Sequence, residues 1–579
     1  MRGLSARVWV IKLRSIVLGI HDGHGAGVAL LCDGKIIAAV SEERIRNVKN
    51  YSGPPILSIK EVYNIAKINP TETTLVAMVG LLRSTAPLVE EDSFKVKLFR
   101  TVSRVLHSQW FAKSYVKILH RFRNMKEILE CLETLGLGDT EITYVEHHLA
   151  HAATAYYQRP WNDDALILTL DGAGDGVSST VNLGEGNDIS RIDWTTYYDS
   201  ISNNMYSEIT GWLGLKRWEH EYKLMGMAPY GRPEYCIDKV KTICTNDPKR
   251  PLRFKNTFGP YGKNSQGKLR KLLAGQRFDN VSAACQEWFE EIVIKWVKNA
   301  IQETGISKIV TAGGSFLNVK ANSRIRDLPD VDDIFFHPAC DDIGTPIGAA
   351  LVGYYRKSKV DGKKPNRHPL ENLYLGRLFD TETILEQFKE FQNKLDIIEN
   401  EEPAQFIAEK VAEGNVIAKF DGREEFGPRA LGNRSIVADP RDLRVIRKIN
   451  FAIKFRDFWM PFAPSIIEDR MNDYFVNPRP ARYMIEAFPT TELGYTIPAA
   501  LHPYDYTGRP QSVTEDYNKD WFSILKIFDE ITRTPVVLNT SFNLHGFPIV
   551  GSPKIAFNTF LESGLDYLVI GNHVVSKVI

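Results

Sequence analysis

Between residues 416 and 465 the chain reads V-I-A-K-F-D-G-R-E-E-F-G-P-R-A-L-G-N-R-S-I-V-A-D-P-R-D and closes on F-R-D-F-W-M-P-F-A-P-S. Arg423, Arg429, Arg434 and Arg441 stand close together here, with Gly427, Pro428 and Gly432 among them. Guanidinium forks take phosphate and carboxylate bidentately. Glycines let backbone N–H groups approach an anion closely. The pattern predicts an anion site suited to a phosphorylated substrate; the alternative is a solvated basic loop.

A second group of chemically able residues is Glu146-His147-His148-Leu149-Ala150-His151. In a helix His147 and His151 are i, i+4 and share a face, as two ligands of one metal must. His148 lies about 100° around the helix and cannot join them. Acidic loop ends offer further ligands: Asp171, and Asp341 or Asp342. Two imidazoles with two carboxylates suit Fe(II), Zn or Mn, whereas a His pair that is merely packed is the plainer reading. His21 and His24 both lie in a glycine-rich loop. Either has the neutral-range pKa of a general base for a hydroxyl.

These residues need elements to hold them. A strand is predicted over 15–20, followed by H-D-G-H-G-A-G, a strand over 28–32, an Asp33-Gly34 turn and a strand over 36–40. Asp-Gly between apolar runs is a hairpin signal. A strand over 165–170 enters D-G-A-G-D-G, and one over 309–312 enters G-G-S-F-L-N. Three strand-to-glycine junctions separated by helical stretches predict a duplicated α/β fold with a nucleotide between its halves. The geometry resembles the phosphate loops of the actin-like ATPase superfamily, the third junction being its adenosine turn. On that resemblance Gly172, Gly174, Gly313, Gly314 and Asn318 contact nucleotide. Residues 57–135 read as mostly helical, with a basic face over 95–123. The polar segment 354–369 reads as a linker. It divides the chain into residues 1–369 and 370–579. A helix is predicted over 403–413, stopped by Gly414, and a strand over 416–420.

The strings G-R-E-E-F-G-P-R-A-L-G-N-R-S-I, A-D-P-R and P-F-A-P-S resemble the carboxy-terminal, YrdC-like domain of the NodU/CmcH-type O-carbamoyltransferases. Arg509-Pro510-Gln511-Ser512-Val513 and P-V-V-L-N-T-S-F-N, with Asn539, match the same family. In the amino-terminal part H-x-x-x-H, D-G-A-G-D-G and P-A-C-x-D-x-G are similar to the family's metal motifs, shared with a tRNA threonylcarbamoyl-transferring protein. The resemblance spans about residue 15 to the C-terminus. It implies the metal ligands His147, His151, Asp171 and Asp342; Asp341 stands where the family usually has glycine. By register from Asp33-Gly34 it implies His24 as the base, with His21 the alternative. Glu42-Glu43-Arg44 and Lys49 are similar to an E-E-R-F-x-R-x-K string, Asn47 replacing its second arginine. Lys49 is then a ligand of an acyl phosphate or adenylate. K-L-M-G-M-A-P-Y-G, starting at Lys223, is a further family string. The implied activity is ATP-dependent: carbamoyl phosphate and ATP give carbamoyl-adenylate, with Arg423, Arg429, Arg434, Arg509 and Asn539 at the substrates. The carbamoyl group then passes to a hydroxyl of a small metabolite such as a sugar or antibiotic. The implied cofactors are a divalent metal, Fe(II) first and Zn or Mn next, and Mg with ATP.

Two rival classes are a tRNA-modifying threonylcarbamoyl enzyme and a non-catalytic actin-like scaffold. A net charge of +1 speaks against nucleic acid and membrane surfaces. A scaffold needs neither the arginine loop nor the histidine pair. With 579 residues, 43% hydrophobic and 25% charged, the composition is that of a globular protein of two to four domains. Six scattered cysteines without a C-x-x-C pair point to reduced thiols and a cytoplasmic setting. No apolar run approaches the ~20 residues of a membrane span. Residues 1–13 read as an extension rather than a signal. Nothing in the sequence decides the acceptor, and a homodimer is left open.

Overall fold

The computed structural model describes residues 14–81 and 126–578. Strands β1 (Ile16–His21), β2 (Gly27–Cys32), β3 (Lys35–Ser41), β4 (Leu75–Val79) and β5 (Ile142–Val145) form a sheet in the order β3-β2-β1-β4-β5. β1, β2 and β3 are antiparallel neighbours, while β4 and β5 run parallel to β1. A second sheet is built from β6 (Ala165–Gly174), β7 (Val177–Glu185) and β8 (Asp188–Thr196). A small hairpin of β9 (Cys244–Asn246) and β10 (Phe254–Asn256) stands apart, and β11 (Lys308–Ala312) and β12 (Asp333–Phe336) complete the sheet. Its order, β12-β11-β6-β7-β8, repeats that of the first sheet, with the same antiparallel and parallel neighbours. Each contains a tight hairpin, between β2 and β3 in the first sheet and between β6 and β7 in the second. Asp33 and Gly34 (φ 50° and 85°) and Asp175 and Gly176 (φ 50° and 81°) both hold the left-handed pair that a type I′ turn demands.

Between the two sheets lie the helices His147–Tyr156 and Thr345–Val360. Their alanines, Ala150, Ala152, Ala153, Ala349 and Ala350, share one core with Val17 and Ala77 of the first sheet and Ile167 and Val310 of the second. Small residues are required there because the backbones nearly touch. A Cβ on Gly348 would lie 1.8 Å from the carbonyl oxygen of Ala150. The outer faces are covered separately. Helix Ile56–Ala66 packs on the first sheet and helix Phe278–Thr304 on the second.

The remainder forms an eight-stranded mixed sheet: β13 (Leu395–Glu399), β14 (Ile417–Phe420), β15 (Arg434–Ala438), β16 (Ala463–Ile467), β17 (Gln511–Val513), β18 (Val536–Ser541), β19 (Tyr567–Ile570) and β20 (His573–Lys577). The order is β13-β20-β19-β14-β15-β18-β16-β17. β14 leads into Asp421-Gly422 and the arginine loop, which returns as β15 with Phe420 opposite Arg434.

Two sequence expectations change. The stretch over 57–135 is not helical throughout among its described residues: Leu75–Val79 is a strand beside β1. A buried parallel strand is a short, unbroken apolar run, which periodicity cannot separate from a helical turn. The linker is also shorter than 354–369, because helix Thr345–Val360 continues through its first half and buries Tyr354 and Tyr355. The polar residues there are that helix's outer face. The basic face over 95–123 and the extension over 1–13 lie outside the described residues.

Candidate active site

Helix His147–Tyr156 starts at Glu146, whose carboxylate accepts the Leu149 N–H and caps it. That start puts His147 and His151 on one face, with Nε2 atoms 3.1 Å apart. Asp342, from the turn after β12, brings Oδ1 to 3.3 Å from His147 Nε2 and 3.4 Å from His151 Nε2. Asp171, within β6, lies 3.6 Å from His147 Nε2. The four donor atoms sit within 4.8 Å of one another. Ligands ~2.1 Å from a tetrahedral metal are ~3.4 Å apart, so the spacing is that of a ligand shell. Asp342 Oδ1 is buried and faces only the two imidazoles. The residues fit a divalent metal.

The glycine loops build this shell. Gly314 N–H donates to Asp171 Oδ1 at 2.9 Å and fixes that carboxylate. A Cβ on Gly174 would lie 2.0 Å from the His147 ring, so only glycine admits the imidazole. Gly313 (φ 110°) turns where a side chain would strike the Leu170 carbonyl. Gly172 presents its carbonyl to Asn203 Nδ2 at 2.9 Å. Asn318 instead caps helix Val319–Arg326 and bonds Gln286. Its donors and acceptor are occupied within the fold. His148 points away, to Thr169 Oγ1 at 2.7 Å and the Val177 carbonyl at 3.0 Å. Burial holds it down at about 3. Burial works against charge on His147 as well, yet the Asp342 and Asp171 carboxylates raise it well above its ordinary value. Burial and then the Asp342 charge push Asp341 up to about 7.

The two loop histidines separate clearly. His21 is buried, its Nε2 3.0 Å from the His24 carbonyl, and burial lowers it to about 4. The side chain of His24 is 53% exposed, with Nδ1 4.0 Å from Asp342 Oδ2. His24 therefore stands at the open side of the metal group, in reach of an entering molecule.

The arginine loop also divides. Arg434 is fully buried; it donates to the carbonyls of Asp421, Asn433 and Gly422 and stacks 3.7 Å over Phe420. Arg423 donates to the carbonyls of Gly376, Leu375 and Ile37. Arg441 pairs with Asp439. Asn539 Nδ2 is held by Ala430 O, Ser465 Oγ and Gln511 Oε1. These side chains shape the loop and have few donors left for an anion. Arg429 differs in its neighbours: Cys340 and Asp341, beside the metal group, are the groups whose charge acts on it. Its buried Nε, like that of Arg434, lacks a hydrogen bond. Burial, then the charges of Arg429 and Arg456, hold Arg509 well below its usual value.

Arg429, Arg456 and Arg509 act on one another as a group of buried like charges, and two of the cations in it, Lys454 and Arg456, were not singled out from sequence. Lys454 is buried and donates to Ser541 O, to Ser541 Oγ at 3.2 Å and to Asn543 Oδ1 at 2.5 Å, all neutral partners. Burial, then the charges of Arg456 and Lys49, draw it well below its ordinary value. Lys49, whose charge also acts on Lys454, keeps its Nζ 3.7 Å from Glu219. The usable signal was the alternation K-F-R after Ile453, which sends Lys454 and Arg456 one way and Phe455 out to solvent at 68% exposure.

No described helix is long and apolar enough to cross a membrane. Residues 16–351 match the model for the carbamoyltransferase N-terminus and residues 408–577 that for the carbamoyltransferase C-terminus. The chain is 32% identical to the uncharacterized protein MJ1051 of Methanocaldococcus jannaschii, over 97% of this chain and all of that one. It is 31% identical to the nodulation protein NolNO of Sinorhizobium fredii, over 99% of this chain and 82% of that one. Full-length HypF in its phosphate- and nucleotide-bound form aligns at a TM-score of 0.31 and 13% identity. That alignment covers 61% of this chain and 57% of HypF, a likeness too distant to carry an argument. The two matched models together run through both the metal group and the cation pocket, and the chain belongs to the carbamoyltransferase family of transferases.

Proposed function

We propose that this carbamoyltransferase is ATP-dependent and works in two steps. Residues 370–579, read as a YrdC-like domain, convert carbamoyl phosphate and ATP to carbamoyl-adenylate. Residues 1–369, read as a duplicated actin-like domain, pass the carbamoyl group to a hydroxyl of a small metabolite. The repeated strand order of the two five-stranded sheets supports the second reading. In the first step water releases phosphate from carbamoyl phosphate. The carbamate oxygen then attacks the α-phosphorus of ATP and pyrophosphate leaves. Lys454, Arg456, Arg429 and Arg509 offer positive charge where phosphate charge develops. In the second step His24 takes the proton of the acceptor hydroxyl as its oxygen attacks the carbamoyl carbon, and AMP leaves.

His147, His151, Asp171 and Asp342 would hold the metal, with Fe(II) the first candidate and Zn or Mn the alternatives. Bound there, it would supply a Lewis acid for a phosphate or carbonyl oxygen. Gly314 and Gly174 keep Asp171 and His147 in place for it.

One observation carries this reading. A pocket of buried cations with mostly neutral partners and a metal-type donor group meet across a single seam, where Arg429 faces Asp341, next in chain to Asp342. The test is pyrophosphate release from ATP. It should require carbamoyl phosphate, and label from carbamoyl phosphate should appear in an adenylate. Pyrophosphate release that ignores carbamoyl phosphate would refute the two-step scheme.

A further inference from the structure

The seam between the two parts is fastened by charges buried in it. Arg44, in helix Glu42–Arg46, projects from the first sheet's hairpin and is 3% exposed. Its Nη1 lies 3.3 Å from Glu424 Oε1, and its Nη2 donates to the Gly427 carbonyl at 2.5 Å. Arg377 takes the other carboxylate oxygen at 3.2 Å and returns a hydrogen bond to the Arg44 carbonyl at 3.3 Å. One carboxylate is thus gripped by guanidiniums from two places in the chain, and one of them also grips the loop backbone.

The fit leaves no slack. A Cβ on Gly551 would lie 2.2 Å from Arg377 Nη2 and 2.3 Å from the Arg44 carbonyl oxygen. Backbone bonds run the same way: Ala39 N to Leu375 O, Glu424 N to Arg377 O and Phe426 N to Leu373 O. The segment 373–377 is therefore threaded between β3 and the arginine loop.

What this bracket aims is the turn that follows Glu424. Gly427 sits with its Cβ position 3.5 Å from Ala339 Cβ, and Arg429, two residues on, feels the charges of Cys340 and Asp341, which follow Ala339. Surface ion pairs exchange readily with water, whereas a buried Arg–carboxylate fork holds one geometry. We infer that Arg44, Arg377 and Glu424 are positioning residues. They hold the Gly427–Arg429 turn against the metal loop, so that the acyl intermediate made in the cation pocket stays enclosed on its way to the metal group.

The inference rests on the two-step reading, and the experiment separates the two. Enzyme is mixed with ATP and labelled carbamoyl phosphate, without acceptor, and passed rapidly through a desalting column. Pyrophosphate formed and label retained on protein are both counted. Arg44→Lys keeps a charge but loses the fork. Gly551→Ala changes no charge and pushes Arg377 off Arg44. In both variants the label retained per pyrophosphate formed is expected to fall at least tenfold, beyond any slowing of pyrophosphate formation itself. Glu424→Gln, which keeps the shape, should leak less than Arg44→Lys. Unchanged retention in both variants overturns the inference. So does loss of pyrophosphate formation together with a collapsed melting transition in both, which would leave the bracket a role in stability alone. Absence of carbamoyl-phosphate-dependent pyrophosphate from the unaltered enzyme instead sinks the two-step reading, and the inference with it.

Discussion

His147 and His151 one helical turn apart can hold a metal only when anionic oxygens face them, and Asp342 does so from the turn after β12 and Asp171 from strand β6. His147→Ala is expected to strip the metal from the purified protein, as elemental analysis would show; unchanged content would remove the assignment. Lys454 and Arg434 are both buried cations, but their surroundings differ in kind. Lys454 has only neutral partners, Ser541 and Asn543, so Lys454→Ala should slow pyrophosphate release by roughly 10²–10³-fold, the cost of losing one preorganised donor. Arg434 binds four backbone carbonyls. Arg434→Ala should act through stability, costing on the order of 3 kcal/mol as those carbonyls lose their partners, visible as a lowered melting temperature. His24 is exposed beside Asp342. His24→Asn should leave pyrophosphate release intact and slow carbamoyl ester formation by about 10²–10⁴-fold. If His21→Asn has that effect instead, the base is His21.

At the scale of elements the metal helix owes its position to its neighbour. Helix His147–Tyr156 is buried on every residue but Leu149. It meets helix Thr345–Val360 at Gly348, where a methyl group would strike Ala150 O at 1.8 Å and Thr154 Oγ1 at 2.3 Å. Gly348→Ala must therefore separate the two helices. Overpacking of this kind costs typically ~1–3 kcal/mol. Because His147 and His151 ride on the displaced helix and Asp342 on the turn before its partner, metal retention should fall as well. A variant with a lower melting temperature but full metal content would mean that the ligands follow their helices without loss.

For the whole molecule the proposed two-step scheme divides the labour between two centres that share one seam. Removing the metal with a chelator should stop carbamoyl transfer and leave carbamoyl-phosphate-dependent pyrophosphate release nearly unchanged. Loss of both together would contradict the separation. Acid should resemble the chelator. Despite its burial, the carboxylates around His147 raise its affinity for a proton, and a protonated imidazole cannot bind metal. Metal content measured across a falling pH series should therefore decline as His147 takes its proton.

Much of this was legible in the chain. The two Asp-Gly hairpins were, because a type I′ turn needs residues that accept positive φ, and Asp33-Gly34 and Asp175-Gly176 state that requirement locally. The i, i+4 histidines and the glycines that must admit them are local as well. So is the arginine loop, whose residue order carried the family. Other facts depended on residues far apart in sequence. The strand Leu75–Val79 could not be told from a helical turn until β1 lay beside it. Which arginines the fold itself occupies could not be read from spacing, since Arg434 and Arg429 are equally charged and differ only in what surrounds them. Lys454 acquired its role from Ser541 and Asn543, 87 and 89 residues away. Local conformational preference is written residue by residue, whereas burial and the pairing of charges are properties of what packs alongside, and only the folded chain decides them.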